Sequence, residues 1–156
     1  MFNFLKSKET KIFEFKMPAT MMFRLAFDNQ WDLDSCQRYI KEYKKFMLLA
    51  SKKESVPSQI VDLVWHEHIL HTKLYEEFCK ILGKFIHHNP THTPNKYLYQ
   101  ETKHNYESSG FVDSNSADVW GDFSANTSTD NSFDGGEFGG YGAGCASCAS
   151  CGGGGD

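Results

Sequence analysis

The residues best suited to chemistry lie close together between positions 60 and 92. Imidazole side chains bind transition metals and transfer protons near neutral pH. A surface helix does not need many of them, so this stretch is either the polar centre of a packed helical domain or a metal site. It contains six of the seven histidines of the chain, which are His66, His68, His71, His87, His88 and His92.

Spacing along a helix decides which of these side chains can meet. Asp62 and His66 are four residues apart and therefore share a helix face. His66 and His68 are two residues apart, so their rings diverge by roughly 200° and cannot both reach one ion. The spacing is thus not the HExxH pattern of zinc proteases, although Glu67 gives it a superficial similarity.

The later histidines follow in a loop, where their rings can be aimed back at the helix. With Asp62 they complete a candidate metal site, in which the carboxylate either binds the ion or orients a bound imidazole. Zinc is the expected ion, because imidazole and carboxylate groups are among its usual ligands. The candidate ligands in this region are Asp62, His66, His68, His87 and His88.

The alternative interpretation of these residues is structural. His68 faces the same side of the helix as Trp65 and Tyr75, where a tyrosine hydroxyl or a backbone carbonyl can satisfy a buried imidazole. A catalytic metal centre also needs an open coordination position and a general base. Glu67 is the nearest base in the sequence, and it points about 100° away from both neighbouring histidines.

A second candidate metal site lies near the C-terminus. Cys145, Cys148 and Cys151 form a C-x-x-C-x-x-C pattern, and three thiolates at this spacing can surround a soft ion such as Zn(II) or Cu(I). Zinc usually takes four ligands, so a fourth ligand or a second chain would be needed. The alternatives are a Gly/Ser/Cys end without a fixed partner and a substrate for a modifying enzyme.

An amphipathic helix is predicted before the histidine stretch. Asp32 or Asp34 can cap it, and apolar residues between Cys36 and Ala50 repeat every three or four positions. Cys36 is predicted to be a core residue of this helix, and Cys79 of a later one. The solvent face of the first of these helices is predicted to carry Arg38, Lys41, Glu42, Lys44 and Lys45.

The helix that begins after Pro57 has two apolar sides, which predicts a central position with other helices around it. A break is predicted near Thr72, and Gly83 is the expected terminator. A first helix can begin at Pro18, and a last helix is predicted from Thr93 and Pro94 to about Gly110.

Composition divides the chain into three parts. Residues 1–17 are a lead-in that can dock on the core as a short extended segment. Residues 18–110 are predicted to be an all-α domain, a small bundle of four to five helices. Residues 111–156 are predicted to be a disordered, acidic, Gly/Cys-rich tail in which Trp120 can dock back onto the domain.

Charge is divided in the same way. All 16 Lys and Arg and 13 of the 20 acidic residues lie in residues 1–107, so this part carries a net charge of +3 and the remainder carries −7. The sequence has no basic stripe, so no nucleic-acid partner is expected. Apolar runs stay well short of the ~20 residues that span a bilayer, and the charged N-terminus does not resemble a signal peptide. The cytoplasm, where thiols stay reduced, is the expected compartment.

The leading hypothesis is a non-catalytic binding or interaction module with a protein partner, whose His/Asp cluster can hold a transition metal. A metal-dependent hydrolase that uses His66 and His88 as ligands is the first alternative. A carrier that presents the cysteine-rich tail for metal handling or modification is the second. The sequence contains no G-x-S-x-G, P-loop or dinucleotide-binding motif, and it does not indicate an oligomeric state.

The chain resembles the glycine-rich-domain-containing-protein family in the run VDLVWHEHILHTKLYEEFCKILGKFIHHNP. DLDSCQRYIKEYKKFMLLA upstream and DVW at 118–120 are also similar to that family, so the resemblance covers roughly residues 20–120. It implies that the His/Trp/Tyr set is one structural unit, but it implies no settled activity. Some longer members have membrane segments, whereas none is predicted in this sequence. The residues that match the signature are Asp62, Trp65, His66, His68, Thr72, Tyr75, Cys79, Gly83, His88 and Pro90.

Overall fold

The computed structural model describes residues 7–89 and 95–121. All regular secondary structure in this part of the chain is α-helix and no strand is present, so the all-α prediction is confirmed. Five helices have 11 to 18 residues, and two shorter helices add to the expected four or five. The helices are α1 Lys8–Glu14, α2 Ala19–Asn29, α3 Leu33–Ala50, α4 Gln59–Leu70, α5 Thr72–Leu82, α6 Lys96–Ser108 and α7 Ser116–Trp120.

The longest helix, α3, lies at the centre and contacts α1, α2, α4, α6 and α7. Asp32 caps it, because Oδ1 of this residue accepts a hydrogen bond from the N–H of Ser35 at 2.7 Å. Tyr43, Phe46 and Met47 have no exposed surface. Burial of a large apolar side chain stabilises a fold by about 1.5–3 kcal/mol, so α3 supplies much of the driving force for packing.

The polar face of α3 departs from the sequence prediction. Glu42, Lys44 and Lys45 are buried, although periodicity predicted them to face solvent. Nζ of Lys44 donates to the carbonyl oxygens of Phe13 at 3.0 Å and Phe15 at 2.6 Å, at the end of α1. The prediction is wrong because it assumed that α3 packs on one side only, whereas α1, α6 and α7 cover its second side.

Glu42 is the centre of a buried polar cluster that joins α3 to α6 and α7. Its carboxylate accepts hydrogen bonds from the Tyr106 hydroxyl, from Nε1 of Trp120 at 3.2 Å and from Nζ of Lys45 at 2.6 Å. Lys45 also donates to Oδ2 of Asp113 at 2.8 Å. Burial would raise the pKa of Asp113, but hydrogen bonds from lysine side chains outweigh it and hold that pKa well below its usual range.

Both ends of the described chain pack on the core. The lead-in was predicted to dock on the core, and it does so through Ile12, which is fully buried. It was predicted to be extended, which is wrong, because residues 8–14 form the helix α1, capped by Ser7. Trp120 docks on the domain as predicted and packs against the rings of Phe46 and Tyr106. The domain limits of 18 and 110 stay a prediction, and the packing of α1 and α7 argues for wider ones.

The predicted break in the central helix is confirmed. His71, with φ −88° and ψ 64°, separates α4 from α5, and Gly83 ends α5 in the left-handed conformation with φ 76°. The start of α6 was predicted two residues too early, because Asn95 caps it through hydrogen bonds from two backbone N–H groups. None of the helices in the described residues has the length and apolar character needed to cross a membrane.

Candidate metal centre

The candidate site is built on the solvent side of α4. Ser58 caps this helix, with its hydroxyl oxygen accepting from the N–H of Val61 at 3.3 Å. Asp62 and His66 follow on successive turns, so their side chains lie next to each other as their spacing predicts. Nδ1 of His66 is 3.4 Å from Oδ2 of Asp62.

The third member of the site comes from the segment after α5. Nε2 of His88 lies 2.7 Å from Oδ1 of Asp62, and the rings of His66 and His88 are 4.3 Å apart between centroids. One ligand atom from each of the three residues can be chosen so that all lie within 4.8 Å of one another. Asp62, His66 and His88 therefore converge on one point, although 26 positions separate Asp62 from His88 in the sequence.

Two aromatic residues hold the His88 segment against α4. Nε1 of Trp65 donates to the hydroxyl oxygen of Tyr75 at 3.0 Å, and that hydroxyl donates to the backbone carbonyl of Ile86. The indole of Trp65 also lies edge-to-face against the His88 ring, with centroids 4.5 Å apart. His88 is thus fixed both by its own contacts and by the main chain two residues earlier.

The site is open on one side. The His66 side chain is 48% exposed and that of Asp62 is 34% exposed, whereas that of His88 is only 9% exposed. Two imidazoles and one carboxylate are a donor set that zinc accepts, and three protein ligands leave a fourth position for water or another group. The arrangement can bind a divalent ion whose remaining coordination faces solvent.

His68, also predicted as a ligand, lies elsewhere in the core. It has no exposed surface, and its Nδ1 is 2.8 Å from the Tyr43 hydroxyl. Burial, aided by nearby positive charge, lowers the pKa of His68 to about 4. The structure therefore places it where the structural interpretation predicted, hydrogen-bonded to a tyrosine, and it is not among the three converging groups.

The other predicted ligands are also separate from this group. The His87 ring lies against Phe85, with 4.8 Å between the ring centroids. His87 lines a cavity of about 250 Å³ that His88 and residues of α4 and α5 also line, but His87 is not among the three converging groups. His92 and the three tail cysteines, Cys145, Cys148 and Cys151, lie outside the described residues.

Glu67, the base suggested by the sequence, has a structural contact. Its Oε1 accepts a hydrogen bond from Nε of Arg24 at 2.7 Å and joins α4 to α2. The hydrogen bond to Glu67 raises the pKa of Arg24. The backbone carbonyl of Glu67 lies 3.0 Å from Nδ1 of His71. A carboxylate held in this way is poorly placed to move a proton at the Asp62–His66–His88 group.

Sequence reasoning missed two features of this region. Tyr43, 25 positions before His68, is the hydroxyl partner of that imidazole, and its place on the apolar stripe of α3 indicated only a core residue. The link from Tyr75 to the Ile86 carbonyl was also missed, because a backbone acceptor leaves no signal in the sequence.

Comparison with known proteins gives one match. Residues 7–109 match the model of the UCP032817-like family, whereas comparisons with curated proteins and with solved structures gave no match. The resemblance to the glycine-rich-domain-containing-protein family is therefore wrong. The matched region includes α1, which that resemblance left out, and it ends before the DVW sequence on which the resemblance partly relied. With about two thirds of its length matched, the chain belongs to the UCP032817-like family.

Proposed function

We propose that this protein is a non-catalytic binding module that holds one divalent transition metal ion, zinc by its donor set, at Asp62, His66 and His88. The observation that carries the proposal is the convergence of three ligand atoms within 4.8 Å. Ligand atoms around a tetrahedral zinc ion lie roughly 3.3 Å apart, because each is about 2.0–2.2 Å from the ion. Small rotations of the three side chains are enough to reach that spacing.

Metal binding at this site must compete with protons. Nε2 of His88 lies at hydrogen-bond distance from Asp62, and a ring nitrogen cannot keep its proton and bind an ion at the same time. Zinc therefore replaces a proton between His88 and Asp62. Affinity is expected to fall as the solution is made acidic, because protons compete for both imidazoles.

The test measures zinc binding to the full-length chain by titration after chelator treatment. The wild-type protein is expected to bind close to one ion per chain. Asp62→Asn, His66→Gln and His88→Gln are each expected to lower the zinc affinity at least about tenfold. Loss of a group that only orients a metal ligand already has an effect of this size, and loss of the ligand itself should cost no less. His104→Gln, an exposed histidine on α6, is the matched control and is expected to bind as the wild type does.

A second set of variants separates this site from the cysteine tail. A triple variant with Cys145→Ser, Cys148→Ser and Cys151→Ser is expected to bind zinc with unchanged affinity, because the proposed ligands lie in the helical part of the chain. Loss of binding in this triple variant, with binding retained in His66→Gln, would place the ion on the tail and overturn the proposal. The full chain is used because Trp120 packs on the core and a shorter chain ending at 110 would lose it.

A metal-dependent hydrolase is the alternative, and the donor set is the observation that favours it. Two imidazoles and a carboxylate also bind catalytic zinc, with water in the fourth position. Zinc-loaded protein is assayed with 4-nitrophenyl acetate. Zinc-dependent turnover that disappears in His66→Gln would support the hydrolase, whereas turnover equal in both proteins would remove it.

A protein partner in the cytoplasm completes the proposal. Phe23 and Phe27 lie one turn apart on α2 and are 64% and 85% exposed, and aromatic side chains are enriched at protein interfaces. Cys36 and Cys79 are buried free thiols, which suits a compartment where thiols stay reduced. No nucleic-acid partner is proposed.

A further inference from the structure

We infer that Tyr75 is the positioning residue that holds His88 against Asp62, through hydrogen bonds that connect Trp65 on α4 with the main chain of Ile86. The inference deepens the proposed function and rests on it where metal affinity is concerned. Its geometric part, the placement of His88, stands on contacts that exist without any ion.

The direction of each hydrogen bond follows from the groups involved. An indole N–H can only donate and a backbone carbonyl can only accept. The hydroxyl of Tyr75 must therefore accept from Nε1 of Trp65, at 3.0 Å, and donate its own proton to Ile86. Both functions use the same oxygen, so phenylalanine at this position cannot replace either of them.

The surroundings of Tyr75 keep the hydroxyl in this state. The residue is 3% exposed, and burial raises the pKa of Tyr75 far above its ordinary value. The hydroxyl therefore keeps the proton that it donates to the Ile86 carbonyl. Water has little access to compete for either bond, so the contact persists as a fixed support.

The support acts where the chain would otherwise be free to move. His88 lies in residues 84–89, which have no regular secondary structure of their own. Tyr75 fixes this segment at Ile86. Trp65 is at the other end of the hydrogen-bond chain, and its ring packs against the His88 ring with 4.5 Å between the centroids. With two points fixed, the His88 imidazole is held beside Asp62 before an ion arrives.

Tyr75→Phe is the direct test, with two readouts. In the metal-free protein, the nuclear Overhauser contact between the rings of Trp65 and His88 is expected to weaken or disappear. In the zinc titration, affinity is expected to fall about 10–100-fold, as it does when groups that orient metal ligands are removed. Circular dichroism is expected to show the same helix content as the wild type.

Tyr99→Phe is the matched control. The Tyr99 hydroxyl donates to the backbone carbonyl of Trp120 at 3.3 Å, so the same chemical change removes a tyrosine-to-carbonyl bond away from the site. Both the Trp65–His88 contact and the zinc affinity are expected to stay at wild-type values. A general loss of packing would reduce them in both variants and would count against a specific role of Tyr75.

The outcomes separate the inference from the proposed function. If the wild type binds zinc and Tyr75→Phe binds it equally well, the inference is overturned and the metal site remains. If the wild type binds no zinc, the proposed function is overturned, and a retained or lost Trp65–His88 contact in Tyr75→Phe still decides the role of Tyr75. Should that variant fail to fold, the Tyr75 hydroxyl proton in the wild type is measured: slow exchange supports the inference and fast exchange overturns it.

Discussion

His68 is a fully buried side chain with two ring nitrogens that need partners. The Tyr43 hydroxyl contacts Nδ1 at 2.8 Å. Nε2 has no partner at normal hydrogen-bond geometry among the described residues, although a backbone contact with Leu74 favours the protonated imidazole. Burial raises the pKa of Tyr43 well above its ordinary value, so the phenol keeps its proton. With the phenol as the donor to Nδ1, the neutral imidazole carries its own proton on Nε2. That N–H lies among the rings of Tyr75 and Phe78, with centroids 5.2 and 5.1 Å away, where weak N–H···π contacts can form.

The first prediction concerns the pH dependence of stability, measured with a chelator present. The folded-state pKa of His68, about 4, lies below the unfolded value near 6.5, so folding excludes a proton. The contribution of neutral His68 to the free energy of unfolding is complete above about pH 6.5. It declines as the pH falls toward 4, by up to about 3 kcal/mol. His68→Asn, which keeps an acceptor for Tyr43, is expected to flatten this decline in urea unfolding. His104→Gln is the control, and an equally flat profile there would contradict the assignment to His68.

At the scale of the helices, the backbone conformation of a single residue determines where α2 and α5 end. Gly83 and Gln30 both occupy the left-handed region, with φ of 76° and 56°, and both end a helix. Glycine adopts this conformation without a steric penalty, whereas a residue with a Cβ is strained there. The end of α2 is therefore held with strain that the end of α5 does not have.

The second prediction follows from the strained α2 terminus. Gln30→Gly is expected to raise the free energy of unfolding by about 0.5 kcal/mol, because relief of strain exceeds the added entropy of the unfolded chain. Gln37→Gly makes the same chemical change inside α3, and there it is expected to lower stability by about 1 kcal/mol. Urea midpoints of the two variants test the opposite signs. A decrease in both would show that the Gln30 backbone is not strained.

At the scale of the whole molecule, the polar cluster around Glu42 ties α7, the last helix of the described residues, to the bundle. Trp120 on α7 donates to the Glu42 carboxylate and packs against Phe46 and Tyr106. The family match ends at residue 109, but the packing continues to α7. Removing one partner of a buried charge is strongly destabilising, so this short helix contributes more than its length indicates.

The third prediction tests that contribution. Trp120→Ala is expected to lower the free energy of unfolding by about 3–5 kcal/mol, because it removes a buried indole and a partner of Glu42. Trp31→Ala is the comparison, since Trp31 is only partly buried against Tyr39. Its effect is expected to be clearly smaller. Equal urea midpoints for the two variants would show that α7 is not an integral part of the bundle.

Much of the fold could be predicted because its signals are local. The break between α4 and α5, the Gly83 terminator and the buried positions of Cys36 and Cys79 all follow from residues within a few turns. The burial of Glu42, Lys44 and Lys45 could not be predicted. Apart from the contact between Glu42 and Lys45 themselves, their partners lie on or beside α1, α6 and α7, at least 29 positions away in the sequence. A charged residue on a helix looks the same in sequence whether its partner is water or another helix.

Some features of the candidate site could likewise be predicted from the sequence, and others could not. The sequence by itself determined that Asp62 and His66 share a face and that His68 does not, because helical spacing fixes these directions. Only the tertiary structure selected His88 rather than His87 as the third group, and Tyr43 as the partner of His68. The physical reason is that an irregular segment has no period, so its side chains are directed by contacts such as that between Tyr75 and Ile86.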